Sequence, residues 1–289
     1  MATKLYFQRS GLQTTIQDMG RLGYQNKGIP VGGTMDKSSA QAANWLVGNN
    51  SNSPLLEVTI LGPKIEIEGP CQIAITGADL SPTIDGQVIR MYQTINIQKK
   101  ATLAFGRLKN GCRAYLAVGG QWQIQPWLGS YSTATNNGKM LTPHSFIREK
   151  SQLSILPNIP ISVRNIPIEK QPKFNSSQRI RVSKGPEFNL FSAYSIGHFF
   201  SHAHPISPQS NRMGYRLDSK LIDFEPKQEL ISSGVIPGTI QISNSGQPIV
   251  LMKDAQTTGG YYRLGNVFSE DLDRLAQLKP GDSIWFSLE

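Results

Sequence analysis

The sequence lacks the features that mark secreted and membrane-spanning chains. It has two cysteines, Cys71 and Cys112, which are far apart and in no metal-binding spacing. That scarcity favours a reducing compartment over a disulfide framework. No apolar run is long enough to span a bilayer, and the first residues lack the apolar stretch of a signal peptide. These absences predict a cytoplasmic location and no membrane partner.

Motifs for nucleotides and metals are also missing. No G-x-G-x-x-G occurs, and residues 137–140 lack both the preceding glycine and the Ser or Thr of a phosphate-binding loop. Three histidines, His198, His202 and His204, lie close together, and a pair two apart on a strand can chelate a metal. No nearby Cys, Asp or Glu completes a zinc set. The sequence therefore predicts no metal site and no cofactor that this chain binds through a recognisable motif.

Acidic residues are outnumbered, with 20 Asp and Glu against 29 Lys and Arg, which gives a net charge of +9. The basic residues are scattered, and the densest groups are pairs such as Lys99-Lys100, not a stripe interleaved with aromatic residues. This distribution favours a solvated basic surface that attracts anionic ligands or an acidic partner. Nucleic-acid binding is a minor alternative, and no nucleic-acid partner is predicted.

The apolar pattern is mainly that of short strands. Residues 56–60 alternate, with apolar side chains on one face and Glu57 and Thr59 on the other. Many short runs of this kind, separated by turns, are typical of a barrel or sandwich. The strongest hairpin signals are Asp85-Gly86 and Asn110-Gly111.

Two helices and one long loop interrupt the strands. Asp36 can cap the first helix, whose apolar face ends at Gly48. The second is predicted from about residue 270 to 278, with Ser269 as its cap. Residues 14–31 show little periodicity and are rich in Gly, Asp, Arg and amides, which predicts a long ordered loop of the kind that often carries function.

Length and proline content predict two domains. A chain of 289 residues can hold two domains of ordinary size. Four prolines between residues 157 and 172, followed by the polar run 175–178, mark the best linker. We predict an N-terminal β domain over residues 1–160, a linker over 161–178 and a C-terminal β domain over 179–289.

The stretch after the predicted strand 248–252 concentrates groups that can bind a small ligand. Asp254 can take a proton from an amide nitrogen. Gln256 can form hydrogen bonds with both the donor and the acceptor of an amide. An oxyanion can be held by the hydroxyl and N–H groups that follow, at Thr257, Thr258, Gly259 and Gly260. The alternative is a polar hairpin with glycines at its tight positions. Lys253 is expected to be solvated.

A second stretch, residues 210–217, carries the guanidinium groups of Arg212 and Arg216 on either side of Gly214. The fork of an arginine can hold a carboxylate, carbonate or phosphate at two points. A structural salt bridge would use the same residues, and the spacing does not separate the two interpretations.

These two stretches, with a third from Gly11 to Arg21, resemble one family. It is variously called the carboxyltransferase domain of urea amidolyase, allophanate hydrolase subunit 2, the KipI antagonist (KipA) and the C subunit of 5-oxoprolinase. The resemblance covers nearly the whole chain through further motifs, which include Leu56-Glu57-Val58-Thr59, Tyr115 to Gly120, Leu128-Gly129-Ser130, Gly185-Pro186 and Pro237 to Gln241. It implies two cyclophilin-like β-barrel domains with a few short helices, and a cleft between them that accepts a carboxyl group or an amide.

The resemblance also implies roles for individual residues. Asp254 and Gln256 would be catalytic. The substrate would be bound by Asn211, Arg212, Met213, Arg216, Thr257, Thr258, Gly259 and Gly260. Residues that would support the site from further away are Asp18, Arg21, Tyr24 and Asp36. For Asp18 and Arg21 a structural pair is the favoured interpretation, and for Asp36 the helix cap is favoured.

Three positions depart from the family pattern. Asn211 stands where an aspartate is usual, Tyr131 where an arginine is usual and Gly32 where a serine is common. A Gly- and Arg-rich segment of the family is reduced to residues 136–139. The loss of the arginine implies a different substrate or only part of the activity.

The resemblance implies a subunit of an ATP-dependent 5-oxoprolinase that acts on a small amide or carboxylate substrate. Its partners would be a KipI-like companion, which is the B subunit of 5-oxoprolinase, and a LamB/YcsF-like A subunit, and ATP would be held by another chain. One alternative is a non-catalytic protein that antagonises a KipI-like kinase inhibitor. Another is a biotin-dependent carboxyltransferase with biotin on a different chain, since no Met-Lys-Met attachment motif occurs here.

Overall fold

The computed structural model describes residues 2–136, 139–219, 222 and 230–289. Within them the protein is mainly β with a few short helices, so the predicted fold class is confirmed. None of the helices in this described part is long and apolar enough to cross a membrane.

The chain forms two compact units. Unit 1 consists of residues 1–21 and 32–174, and unit 2 consists of residues 22–31 and 175–289. Residues 161–174, which we predicted as linker, belong to unit 1 and follow its surface. The Ile161 N–H donates to the side-chain oxygen of Gln72 over 2.9 Å.

Unit 1 is built from two large sheets, a separate two-stranded sheet and one α-helix. Its elements are β1 (Thr3–Arg9), β2 (Gln13–Gln17), α1 (Lys37–Leu46), β3 (Leu55–Thr59), β4 (Lys64–Glu68), β5 (Cys71–Asp79), β6 (Thr83–Ile84), β7 (Gln87–Val88), β8 (Ile95–Ile97), β9 (Lys100–Ala104), β10 (Asn110–Val118), β11 (Gly120–Trp122), β12 (Thr135–Asn136), β13 (Lys139–Met140) and β14 (Gln152–Pro157). The seven-stranded sheet has the order β11-β14-β1-β4-β9-β6-β7, and the five-stranded sheet has the order β2-β3-β10-β5-β8. Strands β12 and β13 form the separate two-stranded sheet.

Both faces of the five-stranded sheet are covered. Leu56 and Ile73 on one face join Leu5 and Ile65 of the other sheet in one core, because alternate residues of a strand point to the same side. The opposite face packs against the apolar side of α1. Every residue of β3 is therefore buried, including those that alternation places opposite the main core.

Helix α1 forms as its sequence predicts. Asp36 is the N-cap, and its carboxylate accepts hydrogen bonds from the Ser39 N–H at 2.9 Å and the Ser39 hydroxyl at 2.7 Å. Gly48, beyond the helix end, has a φ of 71° and so lets the chain turn away.

Unit 2 is built around one seven-stranded sheet. Its elements are β15 (Ser177–Lys184), α2 (Ala193–Ser201), β16 (His204–Pro205), β17 (Gly214–Arg216), β18 (Ser233–Gly234), β19 (Thr239–Ile242), β20 (Pro248–Leu251), β21 (Thr258–Gly259), β22 (Tyr262–Val267), α3 (Leu272–Ala276) and β23 (Ser283–Leu288). The strand order is β16-β23-β15-β22-β19-β20-β17, and β18 pairs separately with β21.

Three local predictions need correction. Asn110-Gly111 does not form a hairpin turn, because Gly111 uses its φ of 72° at an irregularity in the β5–β10 ladder. Part of the predicted loop 14–31 is strand, since β2 pairs with β3. The second helix is shorter than predicted, a 3-10 turn followed by α3, and the Ser269 side chain bonds Glu270 instead of capping it.

Candidate functional site

The two motif stretches of unit 2 meet at one ion pair. The Arg212 Nε atom lies 2.7 Å from Asp254 Oδ2, and Arg212 Nη2 lies 2.8 Å from Asp254 Oδ1. Both carboxylate oxygens therefore accept from the guanidinium fork, the bidentate geometry that holds such a pair most rigidly. The Arg212 side chain is buried, whereas the Asp254 side chain keeps 18% of its surface exposed.

Strand pairing brings these residues together across 42 positions of sequence. Antiparallel pairing aligns Gly214 with Leu251, so the turn before β17 lies beside the turn after β20. The ladder continues past the strands, because the Met252 N–H donates to the Met213 carbonyl at 3.0 Å and the Asp254 N–H donates to the Arg212 carbonyl at 2.9 Å. The main chain thus sets the position of the carboxylate.

Lys253 is buried, and the expectation of a solvated lysine was wrong. Its neighbours on either side, Met252 and Asp254, are held by the same backbone ladder. A second cationic side chain is therefore withdrawn from bulk water next to the Arg212–Asp254 pair.

The other members of the arginine stretch are more accessible. Arg216 is exposed and forms no ion pair with a described residue; its Nη1 donates to Gln247 Oε1 at 3.3 Å. Met213 is half exposed. The Asn211 side-chain oxygen accepts from the Met213 N–H at 2.7 Å, which leaves the Asn211 amide NH₂ as a donor on the surface of this turn.

We expected the hydroxyl and backbone N–H groups after Asp254 to be free to bind a ligand, and the structure shows this only in part. Gln256 and Gly260 are exposed. Thr258 and Gly259 form β21 and pair with β18, so their backbone belongs to a ladder instead of an open cradle. The Thr257 carbonyl accepts from the Val235 N–H at 3.0 Å.

Asp18 in unit 1 is the centre of a buried hydrogen-bond network. Its Oδ1 atom accepts from the Gly20 N–H and from the hydroxyls of Ser130 and Ser132, at 2.8, 2.7 and 2.5 Å. Its Oδ2 atom accepts from the Tyr131 N–H at 2.7 Å. These contacts fix the loop in which Tyr131 replaces the arginine usual in the family pattern.

Arg21, Tyr24, Asp36 and Gly32 take separate places. The Arg21 side chain is buried, donates to the Ser132 carbonyl and lies over the Trp127 ring, with 5.1 Å from its Cζ atom to the ring centroid. Asp36 caps α1. Tyr24 lies in unit 2, where its carbonyl accepts from the Lys27 N–H at 3.0 Å. Gly32 has a φ of 65°.

Sequence reasoning missed a buried carboxylate in unit 1. Glu57 Oε2 accepts from the Met35 N–H at 2.8 Å and from the Tyr115 hydroxyl at 2.9 Å, and Glu57 Oε1 lies 3.8 Å from Arg113 Nε. Burial, and then the nearby Glu57, raise the pKa of Tyr115 far above its usual range. An acidic residue inside the apolar run 55–59 was the only signal in the sequence.

The three histidines of unit 2 lie around the end of α2. The rings of His198 and His202 stack with centroids 4.3 Å apart. The His204 ring is buried, one of its nitrogens lies 2.8 Å from the Phe199 carbonyl oxygen, and burial lowers the pKa of this imidazole. No group of three metal-ligating side chains occurs in the part of the chain that the structure describes.

Comparison with known proteins shows one family that the chain matches over most of its length. Residues 27–288 match the family model described as carboxyltransferase domain, subdomain A and B. The chain is 36% identical to the C subunit of 5-oxoprolinase from Escherichia coli over 278 residues, which cover 96% of this chain and 89% of the relative.

The chain is also similar to part of a much larger enzyme. It is 33% identical to urea amidolyase of Saccharomyces cerevisiae over 96% of its own length, but it spans only 16% of that protein. The crystal structure of the K. lactis urea amidolyase matches 98% of the chain and 18% of that structure, with a TM-score of 0.91 and 29% identity.

Proposed function

The chain belongs to the carboxyltransferase-domain family, and from that membership we propose that it is a subunit of an ATP-dependent 5-oxoprolinase. The enzyme would add water across the C–N bond of a small cyclic amide and release glutamate from 5-oxoproline. The similarity to the C subunit of 5-oxoprolinase over 89% of that relative supports the choice of substrate. The complex would be cytoplasmic.

The observation that carries this proposal is the bidentate grip of Arg212 on Asp254. A guanidinium that donates to both oxygens fixes the direction of the carboxylate. Asp254 remains partly exposed, so a ligand can reach it. Asp254 would therefore accept the N–H proton of the substrate amide and return it to that nitrogen when the C–N bond breaks, while water supplies a hydroxyl to the carbonyl carbon and a proton to the nitrogen.

The exposed neighbours would complete the binding of the substrate. Arg216, which has no ion-pair partner among the described residues, would take the substrate carboxylate, while Arg212 is engaged with Asp254. The Gln256 side chain would hydrogen-bond to the N–H and C=O groups of the substrate amide. The NH₂ group of Asn211 would donate to the carbonyl oxygen of the same amide. Apolar contact would come from Met213, with hydroxyl and N–H contacts from Thr257, Thr258, Gly259 and Gly260.

In the proposed complex, different chains bind the substrate and ATP. A KipI-like B subunit and a LamB/YcsF-like A subunit would be the partners, and one of them would bind ATP because this sequence carries no nucleotide motif. Mixing the purified chain with both partners, ATP and 5-oxoproline should release glutamate. A complete mixture that releases none would contradict the proposal.

The role of Asp254 is tested by Asp254→Asn in the same mixture. This change keeps the size of the side chain and removes the charge that accepts the proton, so turnover should fall by about 100-fold or more. Asp218→Asn is the matched control, because Asp218 is an exposed aspartate. Normal binding of the KipI-like companion by the Asp254→Asn variant would separate loss of chemistry from loss of assembly.

Carboxyl transfer is the second candidate, and the family model together with the similarity to urea amidolyase favours it. In that case the same turns would hold the amide that receives a carboxyl group from biotin on another chain. Incubation with labelled carboxybiotin and urea would show label transfer to urea. Transfer without glutamate release from 5-oxoproline would favour this function over the first.

A further inference from the structure

We propose that unit 1 contains a second ligand site, a cavity that binds a small uncharged molecule with carbonyl oxygens, of the amide or imide class. The cavity has a volume of about 450 Å³ and is formed by the loop 48–54, the residues of β11, Tyr131 and Asn158. A volume of this size lies within the usual range of about 300–1,000 Å³ for small-molecule sites. None of the residues assigned to the proposed reaction lines it.

The lining determines the charge of the ligand. The described residues around the cavity include no Lys, Arg, His, Asp or Glu, although the protein carries 29 basic and 20 acidic side chains. A carboxylate or an ammonium group bound there would give up part of its hydration without gaining a countercharge from the lining, which weakens its binding. An uncharged ligand avoids this cost.

Two asparagine side chains determine the kind of polar group that fits. The Asn50 Oδ1 atom accepts from the Asn52 N–H at 3.0 Å, and the Asn52 Oδ1 atom accepts from the Met19 N–H at 3.0 Å. Because a backbone donor faces each oxygen, the orientation of both amides is fixed. Neither Nδ2 group donates to a described residue. Both residues are exposed, so their NH₂ groups are available at the cavity to donate to acceptors of a ligand, such as carbonyl oxygens.

A third asparagine makes the loop rigid. Asn49 Nδ2 donates to the Val118 carbonyl at 3.0 Å and to Asn44 Oδ1 at 3.2 Å, and Asn49 Oδ1 accepts from the Gly120 N–H at 3.0 Å. These bonds tie the loop to β10 and β11. A binding site gains affinity when its donors are held in place before the ligand arrives.

The remaining lining suits a molecule with both carbonyl and N–H groups. Gln121 is exposed on β11 and offers a donor and an acceptor. Trp122 and Pro54 are buried and contribute apolar surface. Amides and imides combine these features, because their N–H and C=O groups share one plane.

The test uses succinimide, a neutral imide, as the probe and succinate as its charged counterpart. Titration of ¹⁵N-labelled full-length protein should shift the side-chain NH₂ signals of Asn50 and Asn52 to saturation with succinimide and leave them unchanged with succinate. Asn50→Asp and Asn52→Asp each keep the Oδ1 acceptor but remove the donor, so each should weaken binding by about tenfold. Asn175→Asp adds the same charge at an exposed position and should not change binding.

Three results would overturn the proposal: no saturable shift with succinimide, unchanged affinity in both cavity variants, or tighter binding of succinate. Because the proposed reaction also involves a cyclic amide, the titration is repeated with Asp254→Asn. Retention of the Asn50 and Asn52 shifts in that variant shows that the cavity binds independently of the Arg212–Asp254 site. Loss of those shifts would count against a separate site.

Discussion

At the scale of single residues, two aspartates of this protein use their carboxylates in opposite ways. Asp18 is buried, and both of its carboxylate oxygens accept hydrogen bonds within unit 1. Both carboxylate oxygens of Asp254 accept hydrogen bonds from Arg212, but part of the side chain remains exposed. The first arrangement stabilises a loop, and only the second can meet a ligand. Asp18 therefore holds its loop in place through hydrogen bonds from backbone N–H groups and serine hydroxyls.

We expect Asp18→Asn to destabilise unit 1 by about 2 kcal/mol. An asparagine offers one acceptor oxygen, so its NH₂ group would face either the Tyr131 N–H or the Gly20 N–H. A buried polar group without a partner costs about 1–3 kcal/mol. Urea unfolding at constant pH measures the change. Asp218→Asn is the exposed control, and a loss no larger than in that control would show that the network contributes little.

Stability at mildly acid pH should depend on His204. Burial lowers the pKa of this imidazole below its ordinary value of about 6.5, so the unfolded chain binds a proton more readily than the folded one. Stability should therefore fall as the pH drops below about 6.5 and stop falling below the folded pKa. The charges of His198 and His202 lower the pKa of His204 further.

The variant His204→Gln should flatten this pH dependence, whereas His198→Gln should keep most of it. Thermal unfolding of both variants between pH 5 and about 7.5 makes the comparison. A parallel decline in the wild type and the His204→Gln variant would assign the acid sensitivity to other groups.

At the scale of elements, two glycines with similar φ values are required for different reasons. Gly86 has a φ of 81° in the β6–β7 hairpin, and a Cβ added there would meet nothing within 4 Å. Gly77 has a φ of 79° in β5, where a Cβ would collide with the Arg113 carbonyl of β10. At Gly86 only the backbone conformation favours glycine. At Gly77 the close approach of β10 also leaves no room for a side chain.

Gly77→Ala should therefore cost more stability than Gly86→Ala. The Gly86 change carries only the left-handed strain of about 1–2 kcal/mol. The Gly77 change adds a clash with the backbone in the core of unit 1, and a loss of about 3 kcal/mol or more is expected. Chemical denaturation of the two variants gives the difference directly. Equal losses would mean that β5 and β10 can move apart at little cost.

At the scale of the whole molecule, the two units are not two consecutive pieces of sequence. Unit 2 takes residues 22–31 from the N-terminal half in addition to residues 175–289. A fragment of residues 175–289 alone should therefore show weaker amide-exchange protection than the same residues in the full chain. Equal protection in the fragment would show that residues 22–31 add nothing to the stability of unit 2.

The sequence by itself determined the features that depend on a few neighbouring residues. The alternation in residues 56–60 and the cap at Asp36 led to the correct elements, and Asp85-Gly86 to the correct hairpin. The motif resemblance also led to the correct family. Each of these signals is complete within a short segment, because strand period, helix capping and turn conformation are local properties.

Only the tertiary structure decided which segments meet. Glu57 is buried because both faces of its sheet are covered, and Lys253 is buried because its turn continues the β17–β20 ladder. The grip of Arg212 on Asp254 exists because those strands pair, although 42 residues separate the two side chains. Pairing partners and the covering of a second face depend on the packing of the whole unit, so no local pattern encodes them.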